Sequence, residues 1–158
     1  MNLCLLVVIF FLPGKDSYWT GYFVSRPTLK YMERLTNNLL QAAKQVRSLF
    51  GNELRVHGRI FANQSNIDVL KRAMGNMQHH DAVTGTEKQH VADDYALSMA
   101  EGAKAVMAFM GPILLDMAGT SPPLGGSDYL CPLVNISQCH LTESDDNNII
   151  LIYNPLAR

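Results

Sequence analysis

The sequence predicts a mainly α protein built as a three-helix bundle. Three observations carry this. Apolar residues recur at helical spacing in three separate stretches. Each stretch opens on a residue suited to a helix start. The connections between the first and last of them are short enough for neighbouring helices to pack side by side. The chain has 158 residues, about one domain's worth, and 47% of them are hydrophobic. That is enough apolar material for one core and excludes disorder as the default. Thirteen basic against fourteen acidic residues give a net charge of −1. No basic surplus points to nucleic acid or an anionic membrane as the main partner.

The first helix is expected to begin at Pro27, because proline lacks the N–H that the first helical turn leaves unpaired. Leu29, Met32, Leu39, Ala43, Val46 and Phe50 then form a stripe, and Gly51 is a natural terminator. Residues 51–63 connect to the next helix, with room for a short strand or turn around Val56. The second helix should start at Ser65, where Ser65-Asn66-Ile67-Asp68 forms a capping pattern. Ile67, Leu70, Met74 and Met77 make its apolar face, and it should end near Gln78-His79-His80. The third helix is expected from the capping box Thr86-Glu87-Lys88-Gln89, with Val91, Tyr95, Met99, Val106, Phe109 and Ile113 on its stripe. Gly111-Pro112 should kink or end it. These stripes read as core before anything else.

The ends are different in character. Residues 3–12 are ten consecutive apolar residues, too few for a membrane span of about 20. They suit either a signal-peptide core or a buried strand belonging to something upstream, and Cys4 is a core thiol in the second case. Residues 119–128 are rich in Gly, Pro and Ser and read as a linker. A strand is expected over residues 149–153.

Cys131 and Cys139 lie eight residues apart, with the N-glycosylation acceptor Asn135-Ile136-Ser137 between them. A local disulfide suits them better than a metal site, since no Cys/His quartet surrounds them. Asn63-Gln64-Ser65 is a second acceptor pattern.

The run that carries chemistry is Gln78-His79-His80-Asp81-Ala82-Val83-Thr84-Gly85-Thr86, between the second and third helices. Neutral imidazole is a good zinc ligand and a carboxylate is a good hydroxyl acceptor. Gly85 permits a tight turn, and Thr86 should cap the following helix. A solvated turn with two histidines is the plain alternative. Adjacent histidines point different ways in any regular structure, and a catalytic zinc needs three protein ligands. His90, ten residues on, reads as a capping or packing residue; a weak metal site from His79, His80 and His90 is a further alternative. No H-E-x-x-H, C-x-x-C, G-x-S-x-G or P-loop motif occurs.

The runs QHHDAVTGT and KQHVADDYA closely resemble the signature of glycoside hydrolase family 38, the class II α-mannosidases. So do Tyr18-Trp19-Thr20-Gly21-Tyr22-Phe23 and Ser25-Arg26-Pro27. The cysteine loop around LVNIS and the closing YNPLAR resemble the lysosomal or vacuolar branch of that family. The resemblance implies a mannose-hydrolysing zinc enzyme with an N-terminal α/β catalytic domain, a central three-helix bundle and C-terminal β domains. Residues 1–15 would then be an apolar N-terminal segment, a catalytic-domain remnant or signal-like, that does not match the family's lead-in; 16–118 the bundle with its HHD loop; and 119–158 the linker, disulfide loop and first strand of a β domain. By the same resemblance His80 is one ligand of a single Zn²⁺ ion. Asp81 accepts hydrogen bonds from bound mannose and Trp19 packs in the sugar pocket; His79, by its adjacency alone, is a candidate supporting group. The remaining zinc ligands, an H-x-D pair and an aspartate that is also the nucleophile, belong to the family's catalytic domain. No Asp or Glu of this chain takes the nucleophile's role, so the chain alone is expected to be inactive. Its partners are mannose-containing oligosaccharides and the enzyme's other domains, in a lysosome, a vacuole or outside the cell. The competing expectation is a secreted helical interaction module that kept the bundle and lost catalysis.

Overall fold

A computed structural model of the chain describes residues 20–50, 55–56, 59–60, 64–120, 129–131, 136–143 and 150–156. A short 3-10 turn, Thr20–Phe23, leads into helix α1, Pro27–Phe50. A two-residue hairpin follows, strand β1 Arg55–Val56 against β2 Arg59–Ile60, antiparallel with Arg55 opposite Ile60. Helix α2 spans Gln64–Met77 and α3 spans Gln89–Met117. A single turn, α4 His140–Glu143, comes after the cysteine pair.

The three long helices pack on one another pairwise around one core. Leu29, Leu40, Ala43 and Val46 enter it from α1, and Ile67, Leu70, Met74 and Met77 from α2. Met99, Val106, Phe109, Ile113 and Leu114 enter it from α3. The stripe expected for α2 is buried at all four positions. On α1 and α3 it is shared with partly covered neighbours, Met32, Leu39 and Tyr95. The closest approach is between α2 and α3 at Gly102. A Cβ there would stand 2.8 Å from the Leu70 Cα, so only glycine lets the two backbones come this near. Among the described residues, the buried polar member of the core is Thr36, which donates its hydroxyl to the Met32 carbonyl at 2.8 Å. The same hydroxyl also lies 3.1 Å from Met74 Sδ on α2 and 3.4 Å from Met99 Sδ on α3, so it is satisfied within α1 and packed against both other helices.

Helix α3 departs from expectation at its start, and it does not end at Gly111-Pro112. It starts at Gln89 with Lys88 as N-cap and no side-chain cap bond. Thr86 is engaged elsewhere, as described below. At the other end the helix runs through Gly111-Pro112 and continues to Met117. An interior proline costs about 3 kcal/mol. Met110, Ile113 and Leu114 are each 8% exposed or less, and burying each such side chain is worth about 1.5–3 kcal/mol. Packing therefore outweighs the missing hydrogen bond.

Cys131 and Cys139 form a disulfide with a Cα–Cα distance of 5.0 Å. Just before it, the Tyr129 ring lies on α3 where Gly111 has no side chain; a Cβ there would meet the ring at 2.5 Å. The cysteine loop is thus pinned to the bundle. Residues 150–156 make no ladder; Ile150 and Ile152 are exposed, while Tyr153 packs against the core. A strand needs a partner for its backbone groups, and none is supplied among the described residues. Residues 1–15, Trp19, Asn63 and Asn135 lie outside the described residues. No helix among the described residues is long and apolar enough to cross a membrane.

Candidate metal and sugar-binding loop

The loop between α2 and α3 is a succession of tight turns. The His79 carbonyl accepts from Ala82 N at 3.0 Å and Val83 N at 3.1 Å. The Asp81 carbonyl accepts from Gly85 N at 3.2 Å and Thr86 N at 3.1 Å. Gly85 has φ +82°, the left-handed region that glycine enters without steric cost. An added Cβ would also stand 3.0 Å from the Ser25 carbonyl oxygen. Ala82 is 1% exposed and plugs the loop into the core. The backbone is therefore fixed from inside while the neighbouring side chains face outward.

These turns are irregular, and they bring the two histidines together. Adjacent residues in a helix or strand diverge. Here the His79 and His80 rings lie 4.3 Å apart with their planes tilted by 42°. Nε2 of His79 is 3.3 Å and Nε2 of His80 is 3.7 Å from Oδ2 of Asp81. The expectation that the imidazoles point apart is corrected by this turn geometry. His90 is exposed on the first turn of α3 and is not part of the cluster.

The other oxygen of Asp81 is held as well. Thr86 Oγ1 donates to Oδ1 at 2.7 Å, so Thr86 serves the loop and not the helix. Thr84 Oγ1 donates to the His80 carbonyl and lies 3.0 Å from Thr86 Oγ1. The Asp81 carboxyl titrates below its ordinary range, chiefly because of the Thr86 hydrogen bond, with further help from the two imidazoles. The carboxylate form is thus favoured near neutral pH.

One ligand atom from each of His79, His80 and Asp81 lies within 4.8 Å of the others. Two imidazoles and a carboxylate suit a zinc ion. Ligand atoms at about 2.0–2.1 Å from a tetrahedral ion stand roughly 3.3 Å apart. The His79–Asp81 separation of 3.3 Å already has that value, and the His80–Asp81 separation of 3.7 Å is close to it. The donor set fits the ion. Exposure differs within it: the His80 side chain is 83% exposed, against 49% for His79 and Asp81. His80 is the group that projects farthest from the loop.

Helix α1 supplies a second set of contacts that sequence reading missed. Arg26 Nη2 donates to the Glu87 carbonyl at 2.9 Å, Nε to the Gly85 carbonyl at 3.3 Å, and Nη1 to Gln89 Oε1 at 2.5 Å. Its Nε also lies 3.2 Å from Oε1 of Glu87, a side chain only 3% exposed. Lys30 Nζ donates to the Val83 carbonyl at 2.7 Å and the Thr84 carbonyl at 3.2 Å. Gln78 Nε2 donates to Glu33 Oε1 at 3.1 Å. Residues 30 and 33 share one face of α1, and Arg26 lies just before its first turn. That spacing was available as a signal, but the partners lie 45–63 residues away.

Fold and site together define a helical domain that carries two converging imidazoles and a carboxylate on the loop between its last two long helices. Residues 17–117 match the alpha mannosidase middle domain, and the chain belongs to that family, the central domain of glycoside hydrolase family 38. The lysosomal alpha-mannosidase of Bos taurus is 40% identical over 145 residues, covering 92% of this chain and 14% of that protein. The Homo sapiens lysosomal alpha-mannosidase is 40% identical over 148 residues, with the same coverage. That of Dictyostelium discoideum is 40% identical over 149 residues, 89% of this chain and 15% of that protein. The chain spans about one seventh of the length of these relatives.

Proposed function

We propose that this chain is the central part of a zinc-dependent, retaining α-mannosidase that removes terminal α-linked mannose from N-glycan-derived oligosaccharides. The observation that carries the reading is the outward projection of His80 from a loop whose backbone is held on every side. A ligand shared with another domain has to be exposed and rigid at once. The relatives' names support the activity class and a lysosomal location.

In this reading His80 offers one ring nitrogen to the ion. Bound zinc supplies a Lewis acid that fixes mannose hydroxyls and favours an oxocarbenium-like ring geometry. Asp81 accepts hydrogen bonds from mannose hydroxyls. Each carboxylate oxygen has two acceptor positions, so the Thr86 bond leaves capacity on Oδ1. His79, beside Oδ2, keeps that carboxylate aimed and charged. Trp19 sets its indole face against the apolar face of the sugar. The nucleophile and the acid that protonates the leaving oxygen come from the catalytic domain, and the chain alone is inactive. Exposed Phe23, Val24, Tyr31 and Leu35 are apolar surface of the kind that docks on a neighbouring domain. Asn63 and Asn135 carry glycans on the secretory route.

The test is the source transcript upstream of Met1. An open frame encoding an H-x-D motif and a nucleophilic aspartate supports the reading. A frame that closes there contradicts it and moves the chain to the secreted interaction module.

A further inference from the structure

We propose that Lys30 and Arg26, at the start of α1, are positioning residues for the His80–Asp81 pair. This rests on the mannosidase reading for its purpose, though not for its geometry. Two cations from one helix start hold four carbonyls of one short segment, those of Val83, Thr84, Gly85 and Glu87. The two threonines of that segment reach back to the site. Thr84 Oγ1 donates to the His80 carbonyl, and Thr86 Oγ1 donates to the Asp81 carboxylate. The path from helix to site is thus contiguous: Lys30 to Thr84 to His80, and Arg26 through Gly85 and Glu87 to the intervening Thr86 and so to Asp81.

Two features mark this as more than a solvated charge cluster. Arg26 has φ +49°, a conformation that costs a non-glycine residue about 1–3 kcal/mol and persists only when its surroundings impose it. Here the guanidinium contacts do so. Glu87 is buried, and neither of its oxygens accepts a hydrogen bond among the described residues. The Arg26 Nε–H that could reach it goes to the Gly85 carbonyl. The buried carboxylate holds Arg26 at the loop through the 3.2 Å ion pair.

The experiment uses the 158-residue chain and two readouts. The first is amide hydrogen exchange at Gly85 and Thr86, whose N–H groups bond the Asp81 carbonyl. Lys30→Met, which keeps the stem and removes the donors, should speed exchange there at least about tenfold, with Met99 and Val106 protection unchanged. Lys30→Arg should restore it. Unchanged exchange at Gly85 and Thr86, or a rise shared by Met99 and Val106, overturns the proposal. The second is titration with Co²⁺ followed by visible absorption. Lys30→Met should weaken cobalt binding about tenfold, as loss of an outer partner typically does, and equal affinity overturns the proposal. If wild type binds no cobalt while the exchange result holds, the loop's own donors do not hold an ion without the other domain's ligands, and the positioning role stands.

Discussion

Thr86 Oγ1 donates a 2.7 Å hydrogen bond to Oδ1 of Asp81, and this bond is the largest cause of the lowered Asp81 pKa. Thr86→Val keeps the shape and removes the donor. The Asp81 pKa should then rise toward its ordinary value of 3.8, measured by carboxyl-carbon NMR titration. The sign for stability follows from linkage. A depressed folded pKa gives stability that is present above the unfolded value and lost as pH falls through the folded one. Wild type should therefore lose this contribution only in acid below that range, and the variant should lack it. An unchanged Asp81 titration contradicts the assignment.

Arg26, a quarter exposed, and the buried Glu87 carboxylate form an ion pair at the loop's base. Removing one partner of such a pair costs about 3–5 kcal/mol because the other charge is stranded. Arg26→Leu should destabilise by that order in urea unfolding. The double variant Arg26→Leu with Glu87→Leu should recover a substantial part, since the stranded carboxylate is gone. Additive losses would show that the pair is not coupled.

Gly102 sits where α2 and α3 touch, and the atom a Cβ would meet first is backbone, the Leu70 Cα at 2.8 Å. A backbone atom cannot rotate away. Gly102→Ala should cost about 1–3 kcal/mol through overpacking, more than the roughly 1 kcal/mol that alanine gains in helix propensity. Thermal unfolding reads the balance, and a more stable variant would contradict the close packing.

Tyr129 lies on Gly111, and burial raises its phenol pKa above 10.0. A raised folded pKa gives stability that is complete below the unfolded value and lost as pH rises through the folded one. Wild type should lose stability above about pH 10 in part through this group. Tyr129→Phe should flatten that part of the alkaline profile, and an identical profile would show that the ring is not held on α3.

Much of the fold was legible because local chemistry marks it. Pro27 opens α1 where its missing N–H is harmless, and the α2 stripe of Ile67, Leu70, Met74 and Met77 is buried as its spacing requires. The start of α3 was misplaced because Thr86 had two uses: local pattern favours capping, while tertiary structure spends its hydroxyl on Asp81. Pro112 was overrated for a similar reason, since its local penalty is smaller than the burial around it. The HHD residues stood out by type, but their convergence did not, because a chain of turns has no fixed period. Lys30 and Arg26 were invisible as partners of the loop. Cations at a helix start are usually solvated, and only the fold brings Val83 to Lys30.

The most direct measurement replaces the middle domain of the bovine lysosomal enzyme with residues 17–117 of this chain and assays α-mannoside hydrolysis and zinc content. The chimera should hydrolyse a nitrophenyl α-mannoside, and its His80→Ala variant should fold, lose bound zinc and lose turnover. A folded chimera without activity, or a His80→Ala variant that keeps both zinc and full turnover, would contradict the assignment of His80 as a ligand in a shared mannosidase centre.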